Sequence, residues 1–336
     1  MSSSAVSADA EVTRTEAHAP AALATIPVIC GPTASGKSEI AMWLSLRREI
    51  VVVSADSRQI YRGFDVGTAK PTPEEQRRVP HRGIDVAEPT ERYSASDWST
   101  LAQRAIQEAA DAGRLPVVVG GTGFYIGALF RPLWAQPTLD PERRVAVQQE
   151  LAQHGTDELR RWTQRLDPAR AHLGRAQLLR ALEVALLTGE RLSDMHVARA
   201  RPPRFRASYL LVDPGSDLPR RIAARVRAML DAGWTDEVDA LSRRVPADAP
   251  AWNATGYDVV RRFVLGEMDR DAMLERVVID TRQYAKRQRT WFRHQLQQDQ
   301  VQRLVPGTSG WQETVDRWLT DLEETMQHAR MSGRTH

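Results

Sequence analysis

Eight consecutive residues, Gly31, Pro32, Thr33, Ala34, Ser35, Gly36, Lys37 and Ser38, have the composition of a phosphate cradle. They fit G-x-x-x-x-G-K-[ST], a loop whose backbone N–H groups turn inward onto phosphate oxygens. Lys37 adds a point charge, and Ser38 adds a hydroxyl that reaches a Mg²⁺ ion or a phosphate. The pattern needs a strand before it and a helix after it. The apolar residues 26–30 read as the strand and residues 39–44 as the helix, whose N-terminal dipole favours an anion. Such a loop holds phosphates without specifying what they are attached to.

Three further places can carry chemistry. The apolar run 50–54 reads as a buried strand and ends at Asp56. Ligands of open α/β sheets bind beyond the carboxyl ends of the strands, so Asp56 is expected at the loop's mouth. It can bind a metal, take a proton, or simply cap a helix. Residues 115–119 read as the next strand, followed by Gly120, Gly121, Thr122 and Gly123. Those glycines let backbone approach a ligand closely, with the Thr122 hydroxyl beside them; a plain tight turn fits the same residues. Residues 281–293 contain no acid and mix guanidinium, amide and aromatic groups. That mixture suits RNA, through phosphate contacts and base stacking, though a solvated basic face is the plainer alternative. The same choice applies to Arg221 and Arg225, spaced i, i+4 on a helix and able to meet phosphates together.

The elements that must position these groups alternate strand, helix, strand, which predicts α/β architecture: a P-loop NTPase-like parallel sheet core. From 137 to 203 the strand pattern stops, and helices are expected over 140–154, 157–166 and 177–187. This is a helical insertion domain between core segments 24–136 and 204–320. Strand character returns at 208–213, followed by helices over 218–241 and 271–298. Residues 1–23 read as a disordered tail. The net charge of +3 makes any nucleic-acid contact a local basic surface rather than a property of the whole chain. One cysteine, Cys30, excludes an internal disulfide and a Cys-rich zinc site. No apolar run is long enough to span a membrane, and no signal peptide is evident, so a cytoplasmic protein is expected.

Four stretches stand in order: GPTASGKS (31–38), ADSRQIYRGFDVGTAKPT (55–72), VVVGGTGFYIGAL (117–129) and TRQYAKRQRTWFR (281–293). Together they resemble the bacterial tRNA dimethylallyltransferases, or tRNA isopentenyltransferases, over about 26–293. RALEVALLTG (180–189) and the Asp-Pro-x-x-Arg at 140–144 match as well. The resemblance implies transfer of a dimethylallyl group from dimethylallyl diphosphate to the exocyclic amine of the adenosine following the anticodon. It implies that the eight loop residues and Arg221 hold the diphosphate with Mg²⁺, the metal on Ser38, and that no ATP is needed. Asp56 is then the general base and Thr122 assists at the reaction centre. Asp56, Ser57, Arg58, Gln59 and Thr122 touch the flipped adenosine and its neighbours. Arg144, Gln177 and Arg180 contact tRNA from the insertion. Gly256 and Tyr257 contact it too, and Lys286, Arg287, Gln288, Arg289, Thr290 and Trp291 lie along the anticodon stem-loop. A monomer is expected.

Some positions depart from the family pattern. Gln177 stands where arginine is usual, and Asn253 and Asp258 replace basic residues. His81-Arg82-Gly83 differs from the usual His-His-Leu. The departures bear on tRNA contacts and leave the diphosphate loop intact. A P-loop kinase of small molecules shares Lys37, Ser38 and Asp56 but has no use for 281–293. An isopentenyltransferase acting on free adenylate is disfavoured by the same stretch. An RNA-binding protein with a dead site is disfavoured by intact Lys37, Ser38, Asp56 and Thr122.

Overall fold

A computed structural model of the chain describes residues 23–131, 133–134, 139–198 and 200–332. The expected tail, apart from residue 23, lies outside the described residues. Among them are eight strands: β1 (Ala24–Cys30), β2 (Ile50–Ala55), β3 (His81–Arg82), β4 (Leu115–Gly120), β5 (Leu133–Trp134), β6 (Ala200–Arg201), β7 (Phe205–Val212) and β8 (Val301–Leu304). Six form one parallel sheet in the order β3-β2-β4-β1-β7-β8. The central register sets Val28 beside Val118 on one side and Tyr209 on the other.

The apolar runs are continuous because both faces of the sheet are covered. Val28, Cys30, Val53, Val118 and Leu211 face one helical layer. That layer includes helices Ala95–Asp111, Gly123–Phe130, Leu218–Asp231 and Arg270–Gln295. Ile29, Val52, Val117, Leu210 and Val212 face the other layer, built from helices Lys37–Ser45 and Trp311–Ser332. The chain leaves β1 toward β2 on one side and returns in β7 on the other. The strand order therefore splits beside β1, which opens a crevice at the carboxyl ends of β1, β4 and β7.

The insertion carries a core of its own, with Leu151, Leu159, Leu178 and Leu182 packed together. Its helices are Pro141–Ala152, Thr156–Leu166 and Arg175–Thr188, close to the expected ones. A fourth, Leu192–Ala198, was not expected. Strands β5 and β6, one before the insertion's helices and one after them, pair antiparallel. The expected helix over 218–241 is two helices, broken where Gly233 takes φ 91°. The long basic helix is not the last element, since β8 and helix Trp311–Ser332 follow it. Gln302 and Arg303 of β8 are exposed at the sheet edge, so no apolar run announces that strand.

Candidate active site

The phosphate loop leaves β1 at Cys30, which is fully buried and whose thiol pKa is pushed up to about 12 by that burial. Gly31 has φ 151°, and a Cβ there would stand 2.1 Å from the Val212 carbonyl oxygen. Only glycine lets the loop pass so close to β7. Ala34 takes φ 61° and Gly36 φ 94° before the helix begins at Lys37. A non-glycine residue in that left-handed region stores strain, as often happens at ligand-binding turns. Ser35 is fully buried and Ser38 exposed. The Lys37 ammonium folds back, donating to the Pro32 carbonyl at 2.7 Å and to Ser35 Oγ at 3.4 Å. Burial and then the nearby Arg225 charge pull its pKa down to about 8, against the opposing pull of Asp56. A group so situated gains from an anion, which would restore its preference for charge.

Two turns close the other side of the crevice. The Asp56 carboxylate accepts from the Arg58 backbone N–H at 2.9 Å. This short-range bond holds the acid at the end of β2 and leaves its second oxygen available. Thr122 N donates to the Ala55 carbonyl at 3.0 Å. Its hydroxyl accepts from Ser57 N at 3.0 Å and donates to Ser57 Oγ at 3.3 Å. Asp56 and Thr122 are thus tied across neighbouring strands. Gln59 is committed internally: Oε1 accepts from Ser54 Oγ, and Nε2 donates to the carbonyls of Thr68 and Ala69.

The long helix Arg270–Gln295 completes the site in a way the sequence reading missed. Tyr284, Gln288 and Trp291, spaced i, i+4, i+7, present one face to the crevice. The Tyr284 phenol meets the Thr122 hydroxyl; burial, then the Asp56 charge, pushes its pKa up to about 12. The buried Gln288 amide accepts from Thr33 N at 2.8 Å and donates to the Gly121 carbonyl at 2.9 Å. It bolts the phosphate loop to the Thr122 turn. Trp291 packs against Gly123, where a Cβ would come within 2.2 Å of the indole. The i, i+4, i+7 spacing was the signal available for Tyr284.

Arg221 pairs with Asp217 at 3.1 Å. Its guanidinium lies by the phosphate loop, 3.5 Å from where a Cβ on Gly36 would stand. One turn on, Arg225 reaches the neighbourhood of Lys37 and Asp56, and Asp56 steadies its charge against burial. The i, i+4 arginines thus converge on the loop rather than forming a solvated face.

The remaining residues divide by placement. Lys286, Arg287 and Thr290 are exposed, together with Arg282, Arg293 and His294. Arg289 grips the Asp213 carboxylate through Nε at 2.9 Å and through Nη2, which also reaches the Gly215 carbonyl. Its expected place along an RNA is taken by this ion pair. Gly256 and Tyr257 are buried, and the Tyr257 hydroxyl donates to Glu237 at 2.6 Å, so packing rather than surface contact accounts for them. In the insertion, Arg144 and Arg180 both bind the buried Glu183 carboxylate. Gln177 accepts from Gly174 N at 3.2 Å, closing its helix's first turn. Asn253 and Asp258, two of the departures, line one open cavity of about 460 Å³ with Gln283 and Arg287.

Comparisons with known proteins agree on one family. A family model described as IPP transferase matches residues 59–295, and one described as isopentenyl transferase matches residues 24–82. The tRNA dimethylallyltransferase of Halorhodospira halophila is 45% identical over 81% of this chain and 91% of its own. That of Methylococcus capsulatus is 41% identical over 86% and 96%. The crystal structure of the full-length tRNA isopentenylpyrophosphate transferase from Bacillus halodurans superposes with a TM-score of 0.65 at 28% identity. It covers 91% of this chain and 98% of that one. The phosphate loop, the paired turns at Asp56 and Thr122 and the basic helix lie inside these matches, and the chain belongs to the IPP transferase family of tRNA dimethylallyltransferases.

Proposed function

We propose that this protein transfers a dimethylallyl group from dimethylallyl diphosphate to the exocyclic amine of the adenosine 3′ to the anticodon in tRNA. The observation that carries the reading is the convergence of Lys37, Asp56 and Thr122 beneath the acid-free stretch 281–293 of the long helix, on which Lys286, Arg287 and Thr290 are exposed. The amine nitrogen attacks the allylic carbon, the carbon–oxygen bond to diphosphate breaks, and the amine's proton passes to Asp56. Stabilising the departing diphosphate is the largest available contribution. Lys37, Arg221, Arg225 and amides of the phosphate loop are the groups placed to supply it. A carboxylate positioned to take the proton contributes roughly 10²–10⁴-fold. Tyr284 and Thr122 hold the turn against which the adenine would lie.

A magnesium ion on a diphosphate needs one or two protein oxygens, its other positions going to phosphate and water. The exposed Ser38 hydroxyl at the start of its helix fits that requirement and would hold the ion. When bound, the metal neutralises charge on the leaving group. Lys286, Arg287 and Thr290 are the side chains available to the anticodon stem-loop. Gln288 and Arg289 act on it only through the loops they brace.

The test is mass spectrometry of nucleosides from tRNA incubated with the protein, dimethylallyl diphosphate and Mg²⁺. A dimethylallyl adenosine that requires both substrates is the expected result. Phosphoryl transfer from ATP with no prenylated nucleoside would overturn the reading.

A further inference from the structure

Phe124 has no role in the chemistry described above, yet its ring is 75% exposed. Among the described residues it is the one aromatic in the set of strongly exposed large apolar side chains. It stands two residues after Thr122, in the first turn of helix Gly123–Phe130. The turn is pinned to the strand that leads into Asp56, through Thr122 N and the Ala55 carbonyl. The ring is therefore at the rim of the reaction site.

Its surroundings have a particular chemistry. Gly123 and Gly127, on the same helix, press on the Trp291 indole, at 2.2 and 3.4 Å from where their Cβ atoms would stand. The Arg131 guanidinium lies over that indole at 5.5 Å. Trp291 borders an open cavity of about 550 Å³ together with Lys286, Arg287, Thr290 and His294. No acid occurs over residues 112–139 or 281–298. The two glycines thus pack on the Trp291 indole while Phe124 between them stays exposed, and the two stretches of chain that meet here are basic and contain no acidic residue. A five-carbon allyl chain calls for an enclosed apolar pocket, and a ring this exposed cannot supply one. An apolar protein partner would not need the cations. A single-stranded polyanion with flat bases matches both features.

We propose that Phe124 is a stacking platform for the unpaired nucleotide next to the adenosine that enters the site, so that it helps select how the RNA loop is splayed. The proposal rests on the reading given under Proposed function. Taking a base out of its stack costs a few kcal/mol. A ring that receives the neighbouring base offsets part of that cost.

The test uses the full chain with anticodon stem-loop RNAs in which each loop position flanking the target adenosine is made abasic in turn. Phe124→Ala is expected to raise the RNA KM about tenfold, within the range for base–aromatic stacking, with donor KM and kcat unchanged. Phe124→Leu, apolar but without a π face, should show the same loss, and Phe124→Trp should restore the wild-type value. At one abasic position the difference between phenylalanine and alanine should vanish. Wild-type behaviour of the leucine variant, a raised donor KM in the alanine variant, or loss that no abasic position absorbs would each overturn the proposal. If the wild type forms no prenylated product, the same cycle is read from stem-loop Kd. That result counts against the proposed reaction, while the coupling between ring and base still decides the role of Phe124.

Discussion

Replacing Gln288 with Ala separates a brace from an RNA contact. The side chain is 6% exposed and makes two bonds, accepting from Thr33 N at 2.8 Å and donating to the Gly121 carbonyl at 2.9 Å. Truncation leaves one buried donor and one buried acceptor without partners, at about 1–3 kcal/mol each. The Thr33 amide is at the mouth of the loop and regains water in part, so a loss of about 2–4 kcal/mol is expected. For a chain of this length that corresponds to a fall in Tm of roughly 3–6 °C. The assay is thermal melting by circular dichroism, with tRNA affinity measured across a salt series. Because no charge is removed, the salt dependence should keep its slope. Donor use should fall, since both sides of the crevice lose their register. Gln288→Glu keeps an acceptor for Thr33 but turns an anion toward the Gly121 carbonyl and the diphosphate. It should therefore impair donor use more than the alanine variant does. An unchanged Tm with weakened tRNA binding would refute the brace and return Gln288 to the RNA surface.

Lys37→Ala should cost donor affinity heavily while tRNA binding in a gel-shift assay holds. In the wild type, the Lys37 pKa of about 8 sets a sign. Donor affinity should be flat below pH 8 and decline above it as the empty site loses its charge, whereas the alanine variant should show no such decline. Asp56→Asn should cut turnover by at least about 100-fold with both substrates still bound; a loss under tenfold would remove Asp56 from the role of base. Replacing Lys286 and Arg287 together with Ala should flatten the log–log salt dependence of tRNA binding by about one to two units. Arg289 is left out of that pair because its removal would also break the bond to Asp213.

What could be read from the sequence was local. The phosphate loop is eight contiguous residues between a strand and a helix, so pattern alone recovers it. The buried runs 50–54 and 115–119 announce a parallel sheet through composition, and the rule for strand ends then places Asp56 and Thr122 near the loop. What could not be read depends on partners far apart in sequence. Gln288 looks like a polar group on an RNA-binding helix until Thr33, 255 residues away, takes its oxygen. Arg289 likewise counts as a surface cation until Asp213 appears beside it. Tyr257 and Gly256 look like a surface motif, yet they belong to an internal cluster with Trp234 and Glu237. The edge strand β8 escaped because an exposed edge needs no apolar alternation, and the helix break at Gly233 because one glycine inside a helical pattern is often tolerated.

The antiparallel pairing of β5 with β6 sets Leu133 opposite Arg201 and Trp134 opposite Ala200. Paired residues in such a ladder lie about 5 Å apart at Cα. The chain therefore leaves the sheet domain and re-enters it at nearly the same point, as a branch leaves a trunk. Topologically, the whole helical arm could be pruned and its stump closed by a two-residue hairpin turn, with no strand of the six-stranded sheet changing its neighbours. The order of elements that builds the phosphate loop and its opposing turns is thus insulated from the arm's length and content. Arms from other sequences could be grafted at this junction while the strand order around the crevice is inherited whole.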